Sequence, residues 1–305
     1  MKADKLVVGI EEMYRNHPIP DLPNFKIVPW SDKDTINSAD VLIQNNIISQ
    51  KRKKLRHYYQ FILDSGKPFI VTESAVFRRN MIQPPNPMAY HRYSWTSYFR
   101  DEGNYCNENC PSDRWLRIQQ EQKIEIKDWR HWGEYVLVIM QRPGDSSLKN
   151  LIAKYGTYDN FLSSVIKDIK NNTDRKIRIR LHPLRQDKQL EIINNLNLPG
   201  IEISPNTQGA SLLEGGDGLY EDFRRAWAVV GFNSNALTES VCEGIPTFSL
   251  CPSSMAWDCS NTDLKYLNSP RIFERQQWLY NLGYCQWRED EIARGDPWFH
   301  LKSAL

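Results

Sequence analysis

Tyr135-Val-Leu-Val-Ile-Met140 is a continuous apolar run, and the polar stretch Gln141-Arg-Pro-Gly-Asp-Ser-Ser147 follows it directly. A short apolar run that ends at Pro and Gly is typical of a strand buried on both faces, as in a parallel sheet. Apolar runs and helix-like stretches then alternate as far as residue 250. This alternation predicts an α/β layer that begins at Tyr135.

The same pattern predicts the other elements. In the later half we expect strands at 176–181, 201–204, 227–232 and 247–250, and helices at 158–170, from 187, near 219–225 and at 235–243. In the earlier half we expect strands at 6–10, 25–28, 40–44 and 68–72, and a helix over 49–64 that Gly66 terminates. The stretch 84–111 has no clear periodicity and is interpreted as a long functional loop or an extended flap. The aromatic-rich segment 273–300 predicts amphipathic helices.

Length and charge restrict the class of protein. A chain of 305 residues is too long for one core and predicts two domains. Its net charge of +2 excludes a uniformly basic nucleic-acid coat protein. The first 132 residues carry 20 Lys and Arg against 16 Asp and Glu, so a polyanion site is expected there. No apolar run approaches the ~20 residues of a membrane span, and we expect a cytoplasmic protein.

The cysteines do not predict a metal site. Six cysteines in a chain of this length are too few for a disulfide scaffold, so we expect free thiols. Cys106 and Cys110 have the spacing of half a zinc site, but no second pair of ligands follows. We therefore expect no bound metal.

Three polar segments follow predicted strands, at the edge where open α/β sheets bind ligands. In the first, Gly144 lets the backbone approach an anion that Arg142 and Ser146 contact, or the segment is an ordinary tight turn. The second is Arg180-Leu-His182-Pro183, where His182 would donate to a phosphate or protonate a leaving group; the alternative is a capping residue.

In the third segment, Asn233 and Ser234 are expected to cap a helix that begins at Asn235. The free amides at the N-terminus of such a helix form a binding site for a diphosphate. Glu239, one turn further on, would accept hydrogen bonds from ribose hydroxyls. The alternative is a plain helix cap followed by a carboxylate that faces solvent.

Together these motifs, Arg-x-His-Pro with Asn-Ser-x-x-x-x-Glu and Gly244-x-Pro246, resemble the nucleotide-sugar lobe of GT-B glycosyltransferases. The capsule-synthesis, Kdo-transfer and polysialyl-transfer types are the most similar. Glycosyltransferase-like proteins of large bacteriophages are also similar, through Met140-Gln-Arg-Pro-Gly-Asp145, Tyr93-Ser-Trp95 near Arg114-Trp115, and Arg275-Gln-Gln-Trp-Leu-x-x-Leu-x-x-x-Gln-Trp287. The resemblance covers mainly residues 135–250.

The resemblance implies two Rossmann-like lobes with a deep cleft between them. We expect an acceptor lobe at 1–132, a nucleotide-sugar lobe at 133–270 and C-terminal helices at 271–305 that pack back on the first lobe. It also implies a nucleotide-sugar co-substrate, UDP- or CMP-linked, and no permanently bound cofactor. His182 and Ser234 would then hold the donor's phosphate and Glu239 its sugar or ribose, with Arg142, Gly144, Ser146, Arg180, Asn233 and Asn235 completing the donor site.

A base must activate the acceptor hydroxyl, and Glu73 is the first candidate because it follows a predicted strand of the first lobe. An ion pair of Glu73 with Arg78 or Arg79 is the alternative. Asp101 and His91 are further candidates.

The phage resemblance implies double-stranded DNA that contains 5-hydroxymethylcytosine as the acceptor. Basic side chains of the first lobe would then contact its phosphates: Lys51, Arg52, Lys53, Arg78, Arg79, Arg92 and Arg100. Nearby aromatic side chains would stack on an extruded base: Tyr90, Tyr93, Trp95, Tyr98 and Phe99. A capsule or lipopolysaccharide glycan as acceptor, a sugar-nucleotide epimerase and a non-catalytic nucleotide-binding or DNA-binding protein remain as alternatives.

Overall fold

The chain forms two compact units in the computed structural model, which describes residues 4–14, 18–46, 55–77, 89–207 and 216–305. Unit 1 consists of Met1–Val76, Met81–Leu116 and Leu279–Leu305, and unit 2 consists of Phe77–Asn80 and Arg117–Trp278.

Unit 1 contains a six-stranded sheet in the order β11-β5-β4-β3-β1-β2. Strands β1 to β4 are parallel, whereas β5 runs antiparallel to β4 and β11 antiparallel to β5. The bounds are β1 Val7–Ile10, β2 Phe25–Val28, β3 Val41–Asn45, β4 Phe69–Ser74, β5 Tyr90–Trp95 and β11 Gln286–Arg288. The four strands expected from the sequence are confirmed, with ends that differ by at most two residues.

Unit 2 contains a five-stranded parallel sheet in the order β10-β9-β6-β7-β8. Its strands are β6 Tyr135–Ile139, β7 Lys176–Arg180, β8 Ile201–Ile203, β9 Ala226–Gly231 and β10 Thr247–Ser249. All five were expected from the sequence, and β6, fully buried, lies at the centre of the sheet.

The helices of the described residues are α1 Lys33–Ser38, α2 Arg56–Asp64, α3 Asp113–Glu121, α4 Lys149–Tyr155, α5 Tyr158–Asn172, α6 Gln186–Leu196, α7 Gly216–Arg224, α8 Asn235–Cys242, α9 Gln276–Gly283, α10 Glu289–Arg294 and α11 Asp296–Leu301. Helix α5 shows why the sequence folds in this way. Thr157 caps its first turn by accepting a hydrogen bond from the Asn160 amide, and Phe161, Val165 and Ile169 form one buried face at helical spacing.

One prediction about this part of the chain was wrong and another was incomplete. The stretch 84–111, expected to be a long loop or an extended flap, contains β5. The segment 273–300 contains the expected helices α9, α10 and the start of α11, but also the short strand β11. Strand β5 reads Tyr-His-Arg-Tyr-Ser-Trp, so polar residues occupy buried positions and hide the pattern of a strand. Arg92 is 6% exposed, and its guanidinium donates to the carbonyl oxygens of Ser74 and Tyr98. These bonds make a buried charge tolerable in the sheet.

The C-terminal segment completes the core of unit 1. Trp298 is 1% exposed, and its ring meets the ring of Phe25 edge to face, with 5.5 Å between centroids.

A buried ion pair also holds the C-terminal segment. Arg114 donates two hydrogen bonds, of 2.7 and 3.0 Å, to the Glu291 carboxylate. The Arg114 guanidinium also stacks 3.7 Å from the ring centre of Trp287. A bidentate pair at such a depth fixes α10 against α3.

The half-buried His300 predicts a pH dependence of stability. Its Nε2–H donates to the Tyr105 carbonyl at 3.0 Å, and burial holds the His300 pKa below its usual value of about 6.5. The unfolded chain therefore takes up a proton that the folded chain does not, and stability present above pH 6.5 is lost as the pH falls below it. We expect urea unfolding of the His300→Gln variant to depend less on pH between 7 and 5 than that of the wild type, because glutamine can donate to Tyr105 without titrating. Equal pH dependence of the two proteins would contradict this.

Candidate functional site

The three polar segments lie side by side at the carboxyl edge of the sheet of unit 2. Turn A (140–147) follows β6, turn B (181–185) follows β7 and turn C (232–235) follows β9. Strand β6 pairs in parallel with both β7 and β9, so the three turns leave neighbouring strands in the same direction. The structure therefore brings these segments together, as the sequence predicted.

Turns A and C are tied by two amide side chains. The Gln141 Nε2 donates to Asn233 Oδ1 at 2.8 Å, and the Asn233 backbone amide donates to Gln141 Oε1 at 3.1 Å. Asn233 Nδ2 also donates to the Ser147 carbonyl at 2.8 Å. Gln141 was not selected from the sequence. Asn233, expected to cap a helix, instead joins the two turns.

Turn A is a tight turn with a fixed shape. Gly144 has φ +81°, a conformation that glycine adopts without steric cost. Arg142 and Asp145 form an ion pair of 2.8 Å, and the Asp145 carboxylate accepts from the Ser147 amide at 3.0 Å. The backbone amide of Gln141 donates to the Tyr158 hydroxyl at 2.8 Å. Burial raises the pKa of Tyr158, and its hydroxyl therefore stays protonated. Ser146 lies half-buried in this turn.

Turn B is held by Gln189 of α6, which is completely buried. The Gln189 Oε1 accepts from the His182 amide at 2.7 Å, and its Nε2 donates to the carbonyls of His182, Leu184 and Arg185. Arg185 ends the turn with φ +63°, in the left-handed region. The half-buried His182 is thus placed by a side chain seven residues further along the chain.

Turn C leads into α8, and Ser234 is its N-cap, as expected. The Ser234 hydroxyl accepts from the Ala236 amide at 3.3 Å, and Asn235 is the first helical residue. One turn into the helix, the Glu239 carboxylate accepts a short hydrogen bond from the Tyr220 hydroxyl of α7. Tyr220 was not identified from the sequence, since no local pattern connects it to Glu239.

Arg180 has a different role from the one expected. Its side chain is 5% exposed and forms an ion pair of 2.6 Å with Asp222, which is completely buried. Asp222 also accepts from Ser204 Oγ at 2.7 Å and from Asn206 Nδ2 at 2.9 Å. The guanidinium of Arg180 is therefore committed to a buried network below the turns, and we do not retain it as a phosphate ligand.

The Gly-x-Pro motif serves packing. Gly244 has φ +69°, and a Cβ at this position would lie 2.0 Å from the Asp128 carbonyl oxygen. The Gly244 carbonyl accepts from the Arg130 amide at 2.8 Å, and the Pro246 carbonyl accepts from the Val229 amide at 3.0 Å. Glycine is thus needed here for close approach of the backbone to 128–130, inside unit 2.

In unit 1, the candidate bases occupy different places. Glu73 lies half-buried near the end of β4, and its Oε1 accepts from the Ser74 amide at 2.7 Å. Asp101 is exposed on a turn. His91 Nε2 lies 3.3 Å from Glu289 Oε1.

The predicted nucleic-acid surface is not supported where the structure describes it. Arg92 is buried in the sheet, and the five aromatic side chains proposed to stack on a base are between 1% and 6% exposed. They belong to the core of unit 1, where they cannot contact a nucleotide. Arg100 is half-buried. The other proposed contacts lie outside the described residues: Lys51, Arg52, Lys53, Arg78 and Arg79.

Within the described ranges, no three His, Cys, Asp or Glu side chains are grouped so that they could hold a metal ion. One Asp-x-Asp triplet is present at 32–34, and Asp32 caps α1 by accepting from the Thr35 amide at 3.2 Å. No helix in the part of the chain that is described has both the length and the apolar character needed to cross a bilayer.

Two solved structures are similar in fold to this chain. The beta Kdo 2,4 transferase of KpsC from Thermosulfurimonas dismutans superimposes with a TM-score of 0.58 at 10% identity, covering 92% of this chain and 90% of that one. The beta Kdo 2,7 transferase of the same KpsC gives 0.53 at 15% identity, covering 93% of each chain. The chain has a GT-B-type fold.

The likeness to KpsC extends over both units of this GT-B-type chain, so it does not arise from one α/β unit alone. No family model matches the sequence, and the search of curated proteins found no match.

Proposed function

We propose that the chain is a metal-independent glycosyltransferase that uses a UDP- or CMP-linked sugar as donor. The observation that carries this proposal is the joining of turns A and C by Gln141 and Asn233 beside turn B, at the carboxyl edge of a parallel sheet. This edge is where open α/β folds bind nucleotides. The GT-B-type fold and the glycosyltransferase titles of the KpsC structures support the same class of reaction.

In the proposed reaction, the bond between the anomeric carbon of the sugar and the phosphate oxygen breaks, and the electron pair stays with the leaving nucleotide. A bond from the anomeric carbon to the acceptor oxygen forms. The first amides of α8, with Asn235 at its start, and the hydroxyls of Ser146 and Ser234 would donate to the phosphate, where negative charge develops. Arg142 and His182 would add hydrogen bonds, and Glu239 would accept from the ribose.

For the base that takes the proton of the acceptor hydroxyl, we propose Glu73 of unit 1. Its carboxylate lies near the carboxyl end of β4 and is half-buried. Asp101 remains a second candidate because it is exposed.

For the acceptor, we propose a sugar hydroxyl of a surface glycan. Two observations favour it over 5-hydroxymethylcytosine in DNA. The aromatic side chains and Arg92 that would have bound an extruded base are buried in unit 1, and the two KpsC structures are named as Kdo transferases. The DNA acceptor is kept as a separate arm of the experiment, because several of its basic candidates lie outside the described residues.

The experiment supplies the purified chain with UDP- and CMP-sugars together with a capsular oligosaccharide, hydroxymethylcytosine DNA or unmodified DNA. Released nucleotide and the mass of each acceptor are measured. We expect one donor to release nucleotide and one acceptor to gain a sugar, with the Ser234→Ala variant strongly reduced and the exposed-tail variant Ser303→Ala unchanged. An altered sugar without any acceptor would indicate an epimerase. Failure of every donor to bind or react would overturn the proposal.

A further inference from the structure

The ring of His182 is fixed in one tautomer by its own turn. The Leu184 backbone amide donates to His182 Nδ1 at 3.0 Å. An imidazole nitrogen that accepts a hydrogen bond uses its lone pair and carries no hydrogen. The ring hydrogen is therefore on Nε2, and the ring offers a donor at that atom.

Gln189 imposes the backbone shape on which this bond depends. Its buried amide contacts the backbone of the turn at four points, with distances of 2.7, 3.0, 2.9 and 3.1 Å. Without these bonds, the His182 amide and the carbonyls of His182 and Leu184 would lose the Gln189 side chain as a partner, which costs free energy. The turn would then relax, and the Leu184 amide would no longer be held towards Nδ1.

The tautomer limits what His182 can do. A ring with its only hydrogen on Nε2 becomes an imidazolate if it gives that hydrogen away, because Nδ1 has none to compensate. A general acid must instead begin as an imidazolium, which would place a hydrogen on Nδ1 against the Leu184 N–H. In the observed arrangement the ring can donate a hydrogen bond but cannot release a proton.

We propose that Gln189 is a positioning residue that fixes His182 as a hydrogen-bond donor, and that His182 stabilises the leaving phosphate through Nε2–H without transferring a proton to it. This inference rests on the proposed glycosyltransferase function. The phosphate oxygen leaves with its electron pair and stays unprotonated, and its charge is balanced by the hydrogen-bond donors of the site and the Arg142 guanidinium, without a proton from His182.

Substitutions at His182 distinguish a hydrogen-bond donor from a general acid. The amide nitrogen of glutamine reaches the position of Nε2, whereas that of asparagine reaches only the position of Nδ1. We expect His182→Gln to keep kcat within about tenfold of the wild type, and His182→Asn and His182→Ala to lose about a hundredfold or more. Equal loss in the glutamine and asparagine variants would overturn the donor role, since neither amide acts as a general acid.

The role of Gln189 is tested on the free protein. Two-dimensional ¹⁵N NMR of the histidine rings is expected to show the hydrogen of His182 on Nε2 in the wild type and a mixture of tautomers in Gln189→Leu. Gln189→Leu should lower kcat about tenfold or more with a smaller change in KM, whereas Gln186→Leu, also on α6, should leave the NMR signature unchanged. A hydrogen on Nδ1 in the wild type, or an unchanged signature in Gln189→Leu, would overturn the inference.

The NMR result does not depend on any donor, so the two proposals can fail separately. If the signature is as expected but no nucleotide sugar binds or reacts, the proposed function is overturned and the catalytic role of Nε2 with it. If transfer occurs and the signature is absent, only the inference about Gln189 and the tautomer is overturned.

Discussion

Replacing Asp222 with alanine is expected to lower the free energy of unfolding by about 3–5 kcal/mol. Asp222 is completely buried and accepts hydrogen bonds from Arg180, Ser204 and Asn206. Its removal leaves the guanidinium of Arg180, whose side chain is 5% exposed, without a counter-charge. An uncompensated buried charge is far more costly than the loss of an exposed ion pair. Urea unfolding followed by intrinsic fluorescence measures the change.

The matched control is Glu202→Ala. Glu202 pairs with Arg178 at 2.9 Å in the same sheet, but its side chain is 49% exposed, so a change of only about 0–1 kcal/mol is expected. The double variant Arg180→Met/Asp222→Leu removes both charges and should recover most of the stability that Asp222→Ala loses. A loss below about 1 kcal/mol for Asp222→Ala, equal to the control, would contradict the burial argument.

Strands were predictable from the sequence where apolar residues occupy their buried positions. Strand β6 is a run of five apolar residues, and it lies at the centre of its sheet with all five buried. Strand β5 is the opposite case, because Arg92 and Ser94 occupy buried positions. Arg92 donates to the Ser74 carbonyl of the neighbouring strand, and Ser94 donates to the Ser97 carbonyl just after β5. The partner of Arg92 is brought to it only by the folded chain, so the local sequence does not indicate that a charged residue is buried in this strand.

The candidate site was likewise only partly predictable from the sequence. Ser234 as N-cap and the meeting of three turns follow from local chemistry and from the parallel order of strands, and both were predicted. The partners of those turns were not. Gln141 bonds to a residue 92 positions away, and Arg180 pairs with a residue 42 positions away. Gln189 alone left a local signal, a glutamine in the first turn of the helix that follows His182-Pro183.

Replacing Asn233 with aspartate is expected to lower kcat/KM for the donor about a hundredfold while the fold is kept. The Asn233 Nδ2 donates to the Ser147 carbonyl, and an aspartate oxygen at the same place would repel it. The Oδ1 that accepts from Gln141 is retained, so turn C stays near turn A but shifts. A displacement of about 1 Å in groups that position a substrate can cost about a hundredfold in rate. Steady-state kinetics with the donor that the transfer experiment identifies, and the melting temperature, give the two readouts.

Three further variants distinguish the effect of the added negative charge from the effect of the lost hydrogen bonds between turns A and C. Asn172→Asp adds the same charge at an exposed helix end of unit 2 and should leave kcat/KM unchanged. Asn233→Leu removes the bonds without adding charge and should lose nearly as much activity as Asn233→Asp. Gln141→Leu breaks the same tie from the other turn, so the double variant Gln141→Leu/Asn233→Leu should cost little more than either single change. Additive losses would mean that the two amides act independently, and the tie between turns A and C would then not be what shapes the donor site.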